Sequence, residues 1–329
     1  MKKLLNTVES MLSESLNGFA AAHADIVTLE AEGRFLRRRT LEPGKVALIS
    51  GGGAGHEPLH AGFIGPGMLD AACPGHVFTS PTPDQMIAAT AAVDTGAGCL
   101  FIVKNYEGDV MNFDMAREMS GHTIETVIVN DDVAVENSLF TTGRRGVAGT
   151  LVVEKIVGAA AERGQDLKAL KALGEAVNAR TRSMGVALTS CTAPAAGAPT
   201  FLIDDSEMEL GVGIHGEPGR RRVPLASAKN IAAELLGAII EDLDPTAGAR
   251  VLLFVNGFGG TPALELYLMY ENARAFVEAR GLAIARSLVG SYVTSLDMAG
   301  CSITLTILND DLIDLWDAPV QTPALRWRS

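Results

Sequence analysis

Two histidines stand in glycine-rich surroundings that suit chemistry on a small carbonyl compound or polyol. His215 lies in Gly211-Val-Gly-Ile-His215-Gly-Glu217-Pro-Gly219, where four glycines frame one imidazole. Such a ring lacks the bulky neighbours of a core histidine, and a neutral imidazole is a competent nucleophile toward a carbonyl carbon. A histidine bonded to backbone in a tight turn fits the same residues. His56 closes a second run, Ser50-Gly-Gly-Gly-Ala-Gly-His56-Glu57-Pro58, whose backbone N–H groups, through Gly55, can approach a small polar ligand closely. A third stretch is Lys104-Asn-Tyr-Glu-Gly-Asp109. Lys104 leaves a strand end as a donor for a ligand oxygen, and Asp109 can act as a general base or hydroxyl acceptor; a solvated surface turn is the plainer reading. Asn130-Asp131-Asp132 has no histidine or third acid at ligand spacing, so a structural role is expected and no metal. His23, His60, His76 and His122 lack any such framing and are expected to be structural. No GxxxxGK[ST], GxSxG or HExxH occurs, and His-Glu-Pro interrupts what a dinucleotide fingerprint needs.

The elements that must position these residues follow from periodicity. Lys45–Ser50 and Gly98–Val103 are short apolar runs that read as buried strands, the first delivering a glycine loop from Gly51. Met68–Ala72 reads as another strand. Pro83 suits the first turn of a helix over 84–93 capped by Ser80 or Thr82. Asn112–Ser120 reads as helix and Thr123–Val129 as strand. This alternation is the signature of a parallel sheet covered by helices, and ligands collect beyond the carboxyl ends of such strands. A helical stretch over 151–180 breaks near Gly164. Beyond it come short strands at 185–188, 198–199, 200–203 and 208–212, a helix at 226–241, strands at 250–255, 283–289 and 302–308, and a helix at 263–280. Two α/β domains are expected, 1–182 with a largely parallel sheet and 183–329 with a smaller mixed sheet, the active site lying between them.

The chain has 329 residues, 47% of them hydrophobic, and a formal charge of −12. That acidity disfavours nucleic acid and anionic lipid as general partners. Arg37–Arg39 and Arg220–Arg222 read as solvated faces, the second with a docking role toward an acidic or phosphorylated partner left open. The four cysteines form no CxxC pair, which excludes zinc and disulfide frameworks and points to a reducing compartment, the cytoplasm. The start, MKKLLNTVESMLSESL, has no apolar core of a signal peptide and reads as an amphipathic helix. No apolar run is long enough to span a membrane.

Taken together, GGGAGHEP (51–58), CPGHVFTSPTP (73–83), IVKNYEGDVMNFD (102–114), NDDVAVENSLFTTGRRGVA (130–148), GVGIHGEPG (211–219), VNGFGGTPALELY (255–267), TSLDMAGCSITL (294–305) and WDAPVQTPALRW (316–327) closely resemble the K subunits of dihydroxyacetone kinases. The resemblance covers almost the whole chain. It implies that dihydroxyacetone is held as a hemiaminal on His215, with Gly53, Ala54, Gly55, Ser80, Lys104 and Asp109 holding the triose and His56 and Asp109 as the acid/base pair. Adduct formation requires a carbonyl, which excludes glycerol, and it fixes the hydroxyl for phosphoryl transfer. Ala54 stands where many relatives have serine, which leaves a four-carbon ketose such as erythrulose as an alternative substrate. The resemblance further implies a homodimer and no cofactor in this chain. A separate L subunit with ADP and magnesium would transfer the phosphoryl group, recharged from phosphoenolpyruvate through a phosphotransferase-system M protein. A triose-sensing co-regulator is the alternative from another class.

Overall fold

The computed structural model describes residues 2–135, 143–217 and 219–327. Residues 136–142 of the 130–148 motif and Pro218 of the 211–219 motif therefore lie outside the described residues. The chain divides into two compact units, one of Met1–Val129, Thr150–Ala176 and Asp314–Ser329, the other of Asn130–Gly149 and Val177–Ile313. A single cut at 182 does not reproduce this division. Residues 130–149 belong to the second unit, and the last sixteen or so residues return to the first.

In chain order the first stretch contains α1 (Met11–Ala22), β1 (Val27–Leu29), β2 (Leu36–Arg38), β3 (Ala47–Ala54), β4 (Ala71–Val77), α2 (Pro83–Val93), β5 (Cys99–Lys104), α3 (Glu107–Met119), β6 (Ile124–Val129), α4 (Gly149–Glu162) and α5 (Leu167–Ala179). Its six-stranded sheet runs β1-β2-β4-β3-β5-β6. The four strands β4, β3, β5 and β6 are parallel, while β1 and β2 add an antiparallel edge. β3 and β5 are buried along their whole length, which is why they read as continuous apolar runs. Phe101, Phe113, Met86, Ile49 and Val103 fill the space between sheet, α2 and α3. Pro83 opens α2, and Gln85 Oε1 accepts the Thr82 N–H at 2.9 Å.

The second unit holds β7 (Thr181–Ala187), β8 (Glu207–Leu210), β9 (Arg221–Pro224), α6 (Ala228–Leu243), β10 (Arg250–Gly257), α7 (Ala263–Ala279), β11 (Ala283–Gly290) and β12 (Gly300–Leu308). Its sheet, β11-β10-β12-β7-β8-β9, is also six-stranded and mixed, with only β10 and β11 parallel. Leu235, Ile239, Leu253, Val255, Ile303 and Leu305 form its core with α6 and α7. α8 (Asp310–Asp317) then leads to the hairpin β13 (Val320–Gln321) and β14 (Arg326–Trp327) of the first unit.

Three expectations change. α3 begins at Glu107, five residues before Asn112, so the 104–109 segment is a strand end joined almost directly to a helix. No strand forms at 200–203; the region has only an isolated bridge between Thr192 and Pro199, and Leu202 is exposed. That apolar run is short, lies between Pro199 and two aspartates, and finds no sheet edge. The arginine runs are not merely solvated. Buried Arg38 pairs with Glu162 and Asp70, and Arg220 donates to Ala134 O while Arg221 and Arg222 pair with Glu234 and Glu209.

Candidate functional site

The glycine segment is the end of β3 itself, with Gly51, Gly52 and Gly53 in register with Cys73, Pro74 and Gly75 of β4. The missing side chains leave room for close neighbours. A Cβ at Gly51 would lie 2.6 Å from Cys73 O, and one at Gly53 would lie 2.6 Å from Thr79 N and 2.8 Å from the Phe78 backbone. One at Gly52 would fall on the Lys104 ammonium, with Asp109 Oδ2 3.5 Å away. The glycines therefore bring the 78–80 loop and Lys104 onto the strand end.

Lys104, the last residue of β5, is completely buried. Its ammonium has three hydrogens and meets Gly51 O at 3.2 Å, His60 Nε2 at 3.0 Å and Asp109 Oδ2 at 3.4 Å. Asp109 sits in the first turn of α3, where the helix dipole favours a carboxylate. It is 2% exposed, and its Oδ1 has no hydrogen-bond donor among the described residues, so it can accept from a ligand hydroxyl. Half-buried Ser80 reaches the same turn, its Oγ 2.7 Å from where a Cβ at Gly108 would stand. His56 is buried, with its ring stacked on Phe78 at 5.2 Å between centroids. Gly55 N–H donates to Glu57 Oε2 at 2.9 Å, and Ala54 O accepts from Phe78 N–H at 3.0 Å. Gly53, Ser80, Lys104 and Asp109 thus gather at the carboxyl edge of β4, β3 and β5, as the alternation of elements requires. A cleft of about 360 Å³ is lined by Leu12, Leu16 and Phe19 of α1, by Gly52–Ala54 and by Pro58–His60.

His60 is the residue whose place the sequence concealed. Its Nδ1 lies 2.9 Å from Ser50 Oγ and 2.7 Å from Glu154 Oε1, and Ser50 Oγ donates to Ile102 O at 2.6 Å. Burial, reinforced by the charges of Lys104 and His56, pushes the His60 imidazole well below the ordinary histidine range. Burial likewise pushes the Glu154 carboxyl up to about 8, against the pull of the Lys104 charge. The C-terminal hairpin holds this region, since Ala324 N–H donates to Gly62 O and Gln321 N–H to Pro66 O, both at 2.9 Å. No local signal pairs His60 with a glutamate 94 positions away.

In the second unit, His215 sits in the turn after β8. Glu217 takes two N–H groups from it: Oε2 accepts from the His215 backbone at 2.9 Å, and Oε1 lies 2.9 Å from Nδ1. Burial alone would raise the Glu217 carboxyl, but the His215 hydrogen bond and the charges of His215 and Arg145 outweigh it and hold it at about 2. An ionised carboxylate only accepts, so Nδ1 carries a proton and donates to Glu217, and in the neutral ring the lone pair then lies on Nε2. Gly213 is required here, because a Cβ would strike both Glu217 Oε2 and Arg145 Nη1. Arg145 is itself anchored by Asp132 at 2.7 Å and Gly211 O at 2.7 Å. Asp131 accepts from Val147 N–H, Gly149 N–H and Ser183 Oγ, so both acids of the 130–132 run are structural ties. Among the described residues no cluster of acids, histidines and cysteines suits a metal, and no helix is long and apolar enough to cross a membrane.

The family model described as the Dak1 domain matches residues 17–324, and the chain belongs to that family. It is 47% identical to the dihydroxyacetone-binding subunit of the PEP-dependent dihydroxyacetone kinase of Escherichia coli K12, over 99% of each chain. Among solved structures, the dihydroxyacetone kinase of C. freundii is 35% identical with a TM-score of 0.87, over 98% of this chain and 60% of that one. A dihydroxyacetone kinase operon co-activator is 32% identical with a TM-score of 0.91, over 96% and 98% of the two chains.

Proposed function

We propose that this chain is the ketose-binding subunit of a dihydroxyacetone kinase, holding dihydroxyacetone covalently on His215. The observation that carries this reading is Glu217 Oε1 lying 2.9 Å from His215 Nδ1, where a carboxylate acceptor keeps the proton on Nδ1 and leaves Nε2 of the neutral ring as the nucleophile. In the proposed step a bond forms between Nε2 and the keto carbon while the carbonyl π pair moves onto oxygen. That oxygen takes a proton from the acid/base pair of His56 and Asp109. The positive charge gained by the ring is balanced by the Glu217 carboxylate. The product is a hemiaminal, so no water is expelled and no oxidant or reductant is needed.

Lys104, Ser80 and the Gly53–Gly55 backbone hold the remaining hydroxyls in this proposal, and Asp109 accepts the proton of the hydroxyl that attacks phosphorus. The phosphoryl group comes from a separate L subunit carrying ADP and magnesium, recharged through an M protein from phosphoenolpyruvate. We place the pair in the cytoplasm and this chain in a homodimer. Four buried free cysteines suit a reducing compartment.

Likeness to the operon co-activator supports a second reading, a triose sensor, although the identity to the kinase subunit is higher. Phosphate transfer to dihydroxyacetone, measured with and without a cognate L protein, decides between them. Transfer only with the partner is expected; binding of the triose with no transfer to any L protein would favour the sensor. Running erythrulose in parallel tests whether Ala54 widens the substrate range.

A further inference from the structure

We propose that the buried His60–Glu154 pair is a positioning device that aims the Lys104 ammonium at the ketose. This rests on the reading of Lys104 as a triose-holding residue.

Lys104 is a flexible four-carbon stem, and its charge gains nothing from solvent at full burial. Its direction is therefore set by its acceptors. Two are fixed, Gly51 O on β3 and His60 Nε2. The third hydrogen points toward Asp109 Oδ2 at the longest of the three distances, 3.4 Å, and this is the one available for sharing with a ligand oxygen. An imidazolium at position 60 would set two donors 3.0 Å apart, so the Lys104 contact requires a neutral ring with its lone pair on Nε2. The ring proton then sits on Nδ1, facing Glu154 Oε1 at 2.7 Å and Ser50 Oγ at 2.9 Å. With its proton on Ile102 O at 2.6 Å, the Ser50 oxygen is a further acceptor for the ring, beside Glu154. Glu154 and Ser50 thus select the tautomer, and the tautomer aims the lysine. Glu154 Oε2 is buried with no hydrogen-bond partner among the described residues, so Oε1 carries the contact of this carboxyl with the ring.

Neither side chain touches the ketose in this account, so the device should govern affinity rather than the chemical step. The test uses the full chain with its L partner. His60→Gln puts an oxygen acceptor where Nε2 stands, whereas His60→Asn puts one only near Nδ1. His60→Asn should raise KM for dihydroxyacetone on the order of tenfold to a hundredfold, the loss of one hydrogen bond to a charged group. In that variant kcat should fall much less, and His60→Gln should recover most of the affinity. Glu154→Gln, which keeps an acceptor for Nδ1–H, should stay nearer wild type than Glu154→Leu. In case the substitutions prevent folding, long-range ¹H–¹⁵N spectra of the histidine-labelled wild type at pH 7 should show His60 protonated at Nδ1 alone. A ring protonated at Nε2, or equal KM values for the Gln and Asn variants, would overturn the proposal. Failure of the wild type to bind any ketose would instead remove the functional reading beneath it.

Discussion

Replacing Glu217 by Gln is the most informative perturbation of the second unit, because it keeps the size of the side chain while it removes the charge and one of the two acceptors of the His215 turn. A carboxyl brought from an ordinary 4.5 to about 2 by its surroundings corresponds to roughly 3 kcal/mol at 1.36 kcal/mol per pH unit. The Glu217 side chain is 33% exposed, so solvent screening reduces this to about 1–2 kcal/mol. Attack by Nε2 makes the ring cationic, and the same charge pair then favours the adduct. Glu217→Gln should therefore weaken dihydroxyacetone binding about 5- to 30-fold, read by titration calorimetry. The acid limb gives an independent check. Because the folded-state pKa is depressed, Glu217 contributes its stability fully above pH 4.5, and loses it as the pH falls toward 2. The gap in urea midpoint between wild type and Glu217→Gln should be widest near neutrality and narrow below pH 4.5. Equal ketose affinity for the two proteins would refute the assigned role of Glu217.

Asp109→Ala and His56→Ala should each lower turnover by roughly 10²-fold or more if they move protons in the reaction, measured with the L partner at saturating ketose. Gly52→Ala should push the Lys104 ammonium from its position, costing about 1–3 kcal/mol of stability as overpacking and weakening ketose binding; thermal unfolding and calorimetry read the two effects separately. Arg145→Met should destabilise the second unit strongly, because it leaves buried Asp132 without its cation. Chemical denaturation measures that loss.

The architecture was readable where local physics dominates. β3 and β5 are buried from end to end, and their apolar runs announce them; Pro83 and Gln85 announce α2. The edges were not readable in the same way. β1, β2 and β9 are short, and their sequences lack a buried face long enough to show period two. The division into units was also hidden, because the excursion of 130–149 and the return of 314–329 are settled by distant contacts such as Arg145 with Gly211 O and Ala324 with Gly62. Among the site residues, Lys104 and Asp109 stood out as a spaced pair, although Asp109 belongs to a helix start. Glu107 and Asp109 themselves were the signal, acids in a first turn. His60 carried no signal: its meaning comes from Glu154 on α4 and Lys104 on β5, neither near it in sequence.

The central claim is a covalent bond between the keto carbon and the imidazole of residue 215. Mass spectrometry of the intact protein with dihydroxyacetone, under non-denaturing conditions and followed by mapping of the modified peptide, tests it most directly. The account predicts a gain of one whole ketose with no loss of water, located on the 209–220 segment and absent from His215→Ala. An undiminished gain in that variant, or a dehydrated adduct on a lysine, would contradict it.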